Sequence, residues 1–242
     1  MTTDGSTLGV ALWRRVADGI ERGIADGRLT VGTRLPSEAE IADTYRVNRH
    51  TVRRALAALA ERGLVRAERG SGTYVRAPRL AYPLRPRTRF SEIVGEGGHE
   101  PGGQLIGSAI EPGERDICRR LKVSAGSSLL RLEMLRFADR IPISIATTWL
   151  PADRFEGAEK VYARVRSITR TLAHCRVRDY RRKSTRITAA TVDAGDALRL
   201  VLALGAPVLI VDSTDVDGND DPVLTTHARF SAERIEFVVE NN

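Results

Sequence analysis

Near the start of the chain, apolar residues recur every four positions: Leu12, Val16, Ile20 and Ile24. Arg14, Arg15, Asp18, Glu21 and Arg22 fall outside that stripe, so the pattern predicts an amphipathic helix over about residues 8–26, ended by Gly27. A turn over residues 31–36 follows. Ser37-Glu38-Ala39-Glu40 has the form of a capping box and predicts a second helix reaching about Tyr45. Asn48 is a good N-cap for a third, with Val47 and Val52 placed as a hydrophobic staple and Gly63 as the residue after its end. On that third helix Val52, Ala55, Leu56 and Leu59 share one arc. Arg49, His50, Arg53, Arg54 and Ala57 share the opposite one. Two short segments, residues 64–68 and 73–75, flank the glycine-rich Arg69-Gly70-Ser71-Gly72 and predict a two-stranded hairpin with a basic tip.

Beyond residue 76 the pattern changes. Pro78, Pro83 and Pro86 disfavour helix and mark a boundary. The expected organisation is a domain over 1–76, a linker over 77–93 and a second domain over 94–242. Residues 95–103 are glycine-rich and read as a plain loop. Strand patterns follow over 104–110, 128–137 and 141–150, the last two forming a hairpin about Asp139-Arg140. A short helix is expected over 114–122, with Ile117, Cys118 and Leu121 inward. Val161, Val165, Ile168 and Leu172 predict a single helix over 161–175. An alternating strand covers 178–191, and a helix capped by Asp193 covers 193–204. A second hairpin, 207–216 with 222–230, turns across Asp217-Gly218-Asn219. Residues 235–239 are expected to close the sheet. Hairpins imply an antiparallel sheet with helices packed on it, an α+β architecture.

The 242 residues suffice for one large domain or two small ones. The longest apolar run, residues 200–211, is interrupted by Gly205 and Pro207 and is too short to span a bilayer. The first nine residues are polar and lack the charged and apolar regions of a secretory signal. A cytoplasmic protein with no membrane partner is therefore expected. Cys118 and Cys175 are the only cysteines and give neither a disulfide framework nor metal-ligand spacing.

Charge alters the picture more. The net charge is +7, which favours an anionic partner. Residues 46–76 carry eight arginines against Glu61 and Glu68. Those arginines lie on the third helix and the hairpin. Two helices joined by a tight turn, the second with a basic outer face, form a helix-turn-helix. The hairpin behind them is a wing, whose glycines let the backbone approach the minor groove or the phosphates, where Arg69 can insert.

Leu35-Pro36-Ser37-Glu38, residues 47–56 and residues 69–75 together resemble the winged helix-turn-helix of the GntR superfamily of bacterial transcription regulators. The resemblance implies that Arg49, Thr51 and Arg53 approach the major groove of a double-stranded operator. It places Arg34, Ser37 and Glu38 at backbone or base, and Gly70 at the minor groove. Asn48, Arg54, Gly72 and Thr73 complete the expected DNA-binding set. Asn48 stands where the family often has serine, and His50 occupies a variable position that helps set operator sequence. A palindromic operator and a homodimer are implied.

The second half resembles the ligand-sensing (UTRA) domain of the HutC subfamily, of chorismate-lyase-like fold. The resemblance rests on Leu135-Arg136-Phe137-Ala138-Asp139 with Pro142, Trp149-Leu150-Pro151 and residues 228–234. Residues 87–91, 179–189 and 226–230 are most similar to PhnF-type regulators of phosphonate or phosphate uptake. Relatives that sense sugars often have glutamate at Ala146 and glycine at Arg140, so their ligand does not transfer. The effector implied is a small anion such as a phosphonate or phosphate, which arginine forks and hydroxyls suit. Arg89, Ser91, Arg136, Tyr180, Arg186, His227 and Arg229 are the expected effector residues. A HutC-type response to a sugar phosphate or carboxylate is the alternative. No nucleophile-base pair, carboxylate cluster or metal spacing is present, so no catalysis, cofactor or metal is expected despite the lyase-like fold.

Overall fold

The computed structural model describes residues 5–68, 70–76, 79–87 and 89–239. The chain divides into two compact units, Met1–Arg79 and Leu80–Asn242. Arg69, expected at the wing tip, lies outside the described residues.

In the first unit α1 (Gly5–Ala25) buries Val16, Ala17 and Ile20. These pack with Ile41 and Ala42 of α2 (Glu38–Tyr45) and with Val52, Ala55, Leu56 and Leu59 of α3 (Arg49–Glu61). The apolar arc predicted for α3 is therefore its buried face. Both caps form as predicted. Ser37 Oγ accepts from the Glu40 amide at 3.3 Å, and Glu40 Oε2 accepts from the Ser37 amide at 2.7 Å. Asn48 Oδ1 accepts from the Thr51 amide at 2.8 Å and from its hydroxyl at 3.0 Å. Asn48→Ala is expected to lower the unfolding free energy of this unit by about 1 kcal/mol in denaturant titration, with Asn48→Ser close to wild type. Strands β1 (Val65–Glu68) and β2 (Gly72–Val75) pair antiparallel. Gly70 and Gly72, with φ of 77° and 118°, take the turn where a side chain would be strained.

The second unit is built on six antiparallel strands in the order β4-β5-β6-β9-β8-β7. They are β4 (Pro101–Pro112), β5 (Ser128–Ala138), β6 (Ile141–Pro151), β7 (Arg181–Thr191), β8 (Pro207–Val216) and β9 (Pro222–Ser231). The β5–β6 and β8–β9 hairpins turn where the sequence places them. Asp139 and Arg140 both adopt positive φ, the conformation a two-residue hairpin turn requires. Two helices, α5 (Arg115–Leu121) and α8 (Ala194–Leu200), pack on one face of the sheet. The other face carries the main apolar core, which includes Phe90, Ile93 and Val94 of α4 (Phe90–Glu96), Ala158 and Tyr162 of α6 (Ala158–Val165) and Leu172 of α7 (Ile168–His174). No described helix is long and apolar enough to cross a membrane.

Four expectations are corrected. Residues 80–93 belong to the second unit rather than to a linker. There β3 (Leu80–Pro83) buries Leu80 and Tyr82, and α4 buries Phe90. Residues 235–239 do not close the main sheet: β10 (Ile235–Val238) pairs in parallel with β3 as a separate ribbon. Tyr82, Phe230 and Phe237 join that ribbon to the sheet through edge-to-face rings 5.2–5.6 Å apart. The expected helix over 161–175 is two helices, because Arg166 turns left-handed (φ 53°) and the Ser167 hydroxyl caps α7. The expected loop over 95–103 is shorter, since α4 runs to Glu96 and β4 begins at Pro101.

Candidate nucleic-acid interface and effector cavity

Exposure of the basic arc of α3 follows from the burial of its apolar one. Arg49, His50, Arg53 and Arg54 are all exposed at the surface of the first unit. They are not equivalent. Arg53 Nε donates to Glu38 Oε2 at 2.7 Å, so a carboxylate at the start of α2 orients the guanidinium. The Arg54 guanidinium instead lies 5.1 Å from the centre of the Trp13 ring on α1. That contact packs it against α1. Arg34 bridges to Tyr74 of the wing, and the Leu35 amide donates to the Thr73 carbonyl at 2.7 Å. The wing is thereby tied to the turn before α2. Gly72 leaves room for the Arg34 side chain, whose Nε lies 2.8 Å from where a Cβ at Gly72 would stand.

In the second unit the sheet separates the expected effector residues onto its two faces. Register places Arg136 opposite Ser144, and Ser144 opposite Phe230, so these three share a face. Leu135, Ile145 and Arg229 share the other. On the first face a small cavity of about 40 Å³ is lined by Arg136, Tyr180, Arg182, Ser213, Asp215 and Thr226, with aromatic walls. A smaller one of about 10 Å³ is lined by Ser91, Arg136, Tyr162, Ser167 and Thr169. Phe90, Arg136 and Ile168 border both. The Arg136 guanidinium lies 5.2 Å from the Phe90 ring centre, and among the described residues no carboxylate pairs with it. Arg89 sits beside this site. Its guanidinium stacks 5.2 Å from the Tyr180 ring and reaches Glu92 and Asp179 at 3.2 and 3.3 Å, while its buried Nε has no partner. Burial pushes the Tyr180 phenol above its usual range, and its hydroxyl pairs with Thr169 at 2.7 Å.

Arg186, His227 and Arg229 lie elsewhere. Arg229 is enclosed by Asp196, by Glu133 at 3.7 Å and by the Thr147 hydroxyl at 3.3 Å. His227 pairs with Asp212 at 3.0 Å, and Asp212 also meets Arg120 of α5 at 3.6 Å. Arg186 is exposed on the edge strand β7, in an open groove with Arg120 and Asp212. The structure thus brings Ser91, Arg136 and Tyr180 together with Arg89 adjacent, and leaves the other three on the opposite face or the edge.

Sequence reasoning did not single out Arg182, Asp215 or Tyr82 as cavity residues. Arg182 Nε meets Asp215 Oδ1 at 3.1 Å, and Asp215 is 3% exposed. Burial raises the Asp215 carboxyl above its usual range, against the pull of Arg182 and Arg136. Asp215 follows Ser213 and Thr214 on a strand that also carries Asp212, so residue type alone did not mark it out; its pairing with Arg182 appears only in the register of β7 against β8.

Residues 12–75 match the family described as bacterial regulatory proteins, gntR family, and residues 96–236 match the UTRA domain. An uncharacterized HTH-type transcriptional regulator, RB1450 of Rhizobium meliloti, is 40% identical over 96% of both chains. The probable transcriptional regulator PhnF of Escherichia coli is 28% identical over 87% of both. Among solved structures, PhnF from Mycobacterium smegmatis superposes with a TM-score of 0.66 at 27% identity, over 94% of this chain and 99% of that one. These relatives are transcription regulators rather than lyases. The two matches fall one on each compact unit, and with them the chain belongs to the GntR family of bacterial transcriptional regulators, with a UTRA domain following its helix-turn-helix.

Proposed function

We propose that the protein is a ligand-responsive repressor of phosphonate or phosphate uptake genes, binding a palindromic operator as a homodimer and switched by a small phosphorus oxyanion. Arg49, Thr51 and Arg53 read base edges in the major groove. Arg34 and the Ser37–Glu38 start of α2 meet backbone or base, with Glu38 holding Arg53, and the wing residues Gly70, Gly72 and Thr73 meet the backbone or minor groove. The effector shifts the population between two arrangements of the dimer, by an amount set by its difference in affinity for them.

The observation that carries the effector assignment is Arg136. It borders both cavities and pairs with no carboxylate among the described residues, while Ser91, Ser167, Thr169 and Thr226 contribute hydroxyl-bearing side chains to the lining of one cavity or the other. An arginine fork with hydroxyls suits a tetrahedral oxyanion. Size favours a small one: about 40 Å³ of interior space compares with roughly 10–15 Å³ for one water. Similarity to PhnF-type regulators agrees with that chemistry.

A thermal-shift panel of phosphate, alkylphosphonates, sugar phosphates and carboxylates tests this reading. A ligand at 100 times its dissociation constant stabilises the fold by about 2.7 kcal/mol. A shift with phosphorus oxyanions that disappears in folded Arg136→Ala is the expected result. A shift only with sugars or carboxylates rejects it.

A further inference from the structure

We propose that the effector is a zwitterion, a short molecule with a tetrahedral phosphorus oxyanion at one end and an ammonium group at the other. This rests on the reading of the effector as a phosphorus oxyanion and adds the second group.

The observation is a carboxylate in the wrong place for a simple anion. Asp215 lines the same cavity as Arg136 and is 3% exposed. A buried carboxylate repels an anionic ligand at short range, and water screens that repulsion little inside an enclosed cavity. For a ligand that carries an ammonium, the same carboxylate becomes a counter-charge. Arg182 Nε contacts one oxygen of Asp215, Oδ1, at 3.1 Å.

Charge and surroundings agree. Two guanidiniums, Arg136 and Arg182, and one carboxylate, Asp215, line the cavity, so with Asp215 ionised by its contact with Arg182 the cavity carries one net positive charge. A phosphorus dianion joined to an ammonium carries one net negative charge. Tyr82, Phe230 and Phe237 line the same cavity, and aromatic rings accept an alkylammonium where they would not accept a second anion. The ligand is oriented by opposite charges at its two ends: the oxyanion on Arg136 and the ammonium toward Asp215. Limited interior space sets a spacer of only a few atoms.

The test compares 2-aminoethylphosphonate with ethylphosphonate and inorganic phosphate by isothermal titration calorimetry on the full chain. The first two have the same carbon chain and differ in the amine. The amine is expected to tighten binding by about tenfold or more, as a charged hydrogen bond made out of water does. Asp215→Asn is expected to remove most of the amine's advantage, leaving the smaller part that the aromatic rings supply. Because Asp215 is buried against Arg182, that variant could fail to fold; the wild-type comparison then stands on its own. Equal affinities in the wild type, or a preference undiminished in folded Asp215→Asn, overturn the zwitterion while leaving the phosphorus-oxyanion reading intact. Failure of all three compounds to bind overturns both.

Discussion

Arg49→Ala/Arg53→Ala abolishes the preference for operator over scrambled duplex while the first unit stays folded. Both side chains project from the exposed arc of α3, and the core beneath them is made by Val52, Ala55, Leu56 and Leu59. Removing the arginines therefore leaves the core intact. A bidentate arginine–guanine contact discriminates by about 1–3 kcal/mol, so two per protomer set most of a specificity ratio. Arg53 has a second determinant. Its Nε is held by Glu38 at 2.7 Å, which fixes the fork before DNA arrives. Glu38→Ala is expected to weaken specific binding in the same direction but less, because it frees the arginine without removing it. Arg54→Ala is expected to act differently, since its guanidinium packs on Trp13. The measurement is fluorescence anisotropy at fixed salt, against operator selected from random duplexes and against scrambled DNA, with circular dichroism to confirm folding. A folded double variant that keeps the wild-type ratio of the two affinities refutes the assignment.

The first unit was legible because its signals are local. Ser37, Glu40 and Asn48 carry their caps within three residues, and the apolar arc of α3 needs no knowledge of its partner. In the second unit the hairpins were legible for the same reason, since Asp139-Arg140 and residues 217–219 are turns in their own right. The β3–β10 ribbon was not. Its strands are four residues each, one ends at a proline, and they lie at opposite ends of the unit. The break between α6 and α7 was hidden because Val161, Val165, Ile168 and Leu172 keep one apolar phase across it. The division of effector residues has a subtler cause. Alternation along β9 puts His227 and Arg229 on one face and Thr226, Ala228 and Phe230 on the other. Which face of β9 continues the Arg136 face of β5 depends on register across β6. A bulge there, where Arg136 faces Ser144 but Phe137 faces Pro142, shifts that count by one residue. Charge and residue type alone could not carry parity through it.

Arg229→Ala is expected to cost stability rather than effector binding, and Arg136→Ala the reverse. The Arg229 side chain is 17% exposed and that of Asp196 8%. The guanidinium also meets Glu133 and Thr147. With it gone, Asp196 retains, among the described residues, only Arg199 at 3.8 Å, a side chain 44% exposed. Breaking a buried pair from one side costs about 3–5 kcal/mol, because the remaining charge is left without its partner. For a protein of this length that corresponds to a fall in Tm of roughly 6–20 °C. Arg136 offers the contrast: its guanidinium stacks on Phe90 and pairs with no carboxylate among the described residues, and buried Asp215, which it attracts at longer range, keeps its direct contact with Arg182. Scanning calorimetry with and without phosphonate separates the two. Arg229→Ala should unfold early yet still gain stability from ligand, and Arg136→Ala should unfold near wild type and gain none. Replacing both partners, Arg229→Met with Asp196→Leu, should recover much of the lost stability, since an apolar pair leaves no uncompensated charge. An Arg229→Ala variant with unchanged Tm and no ligand response would move the effector site to the opposite face of the sheet.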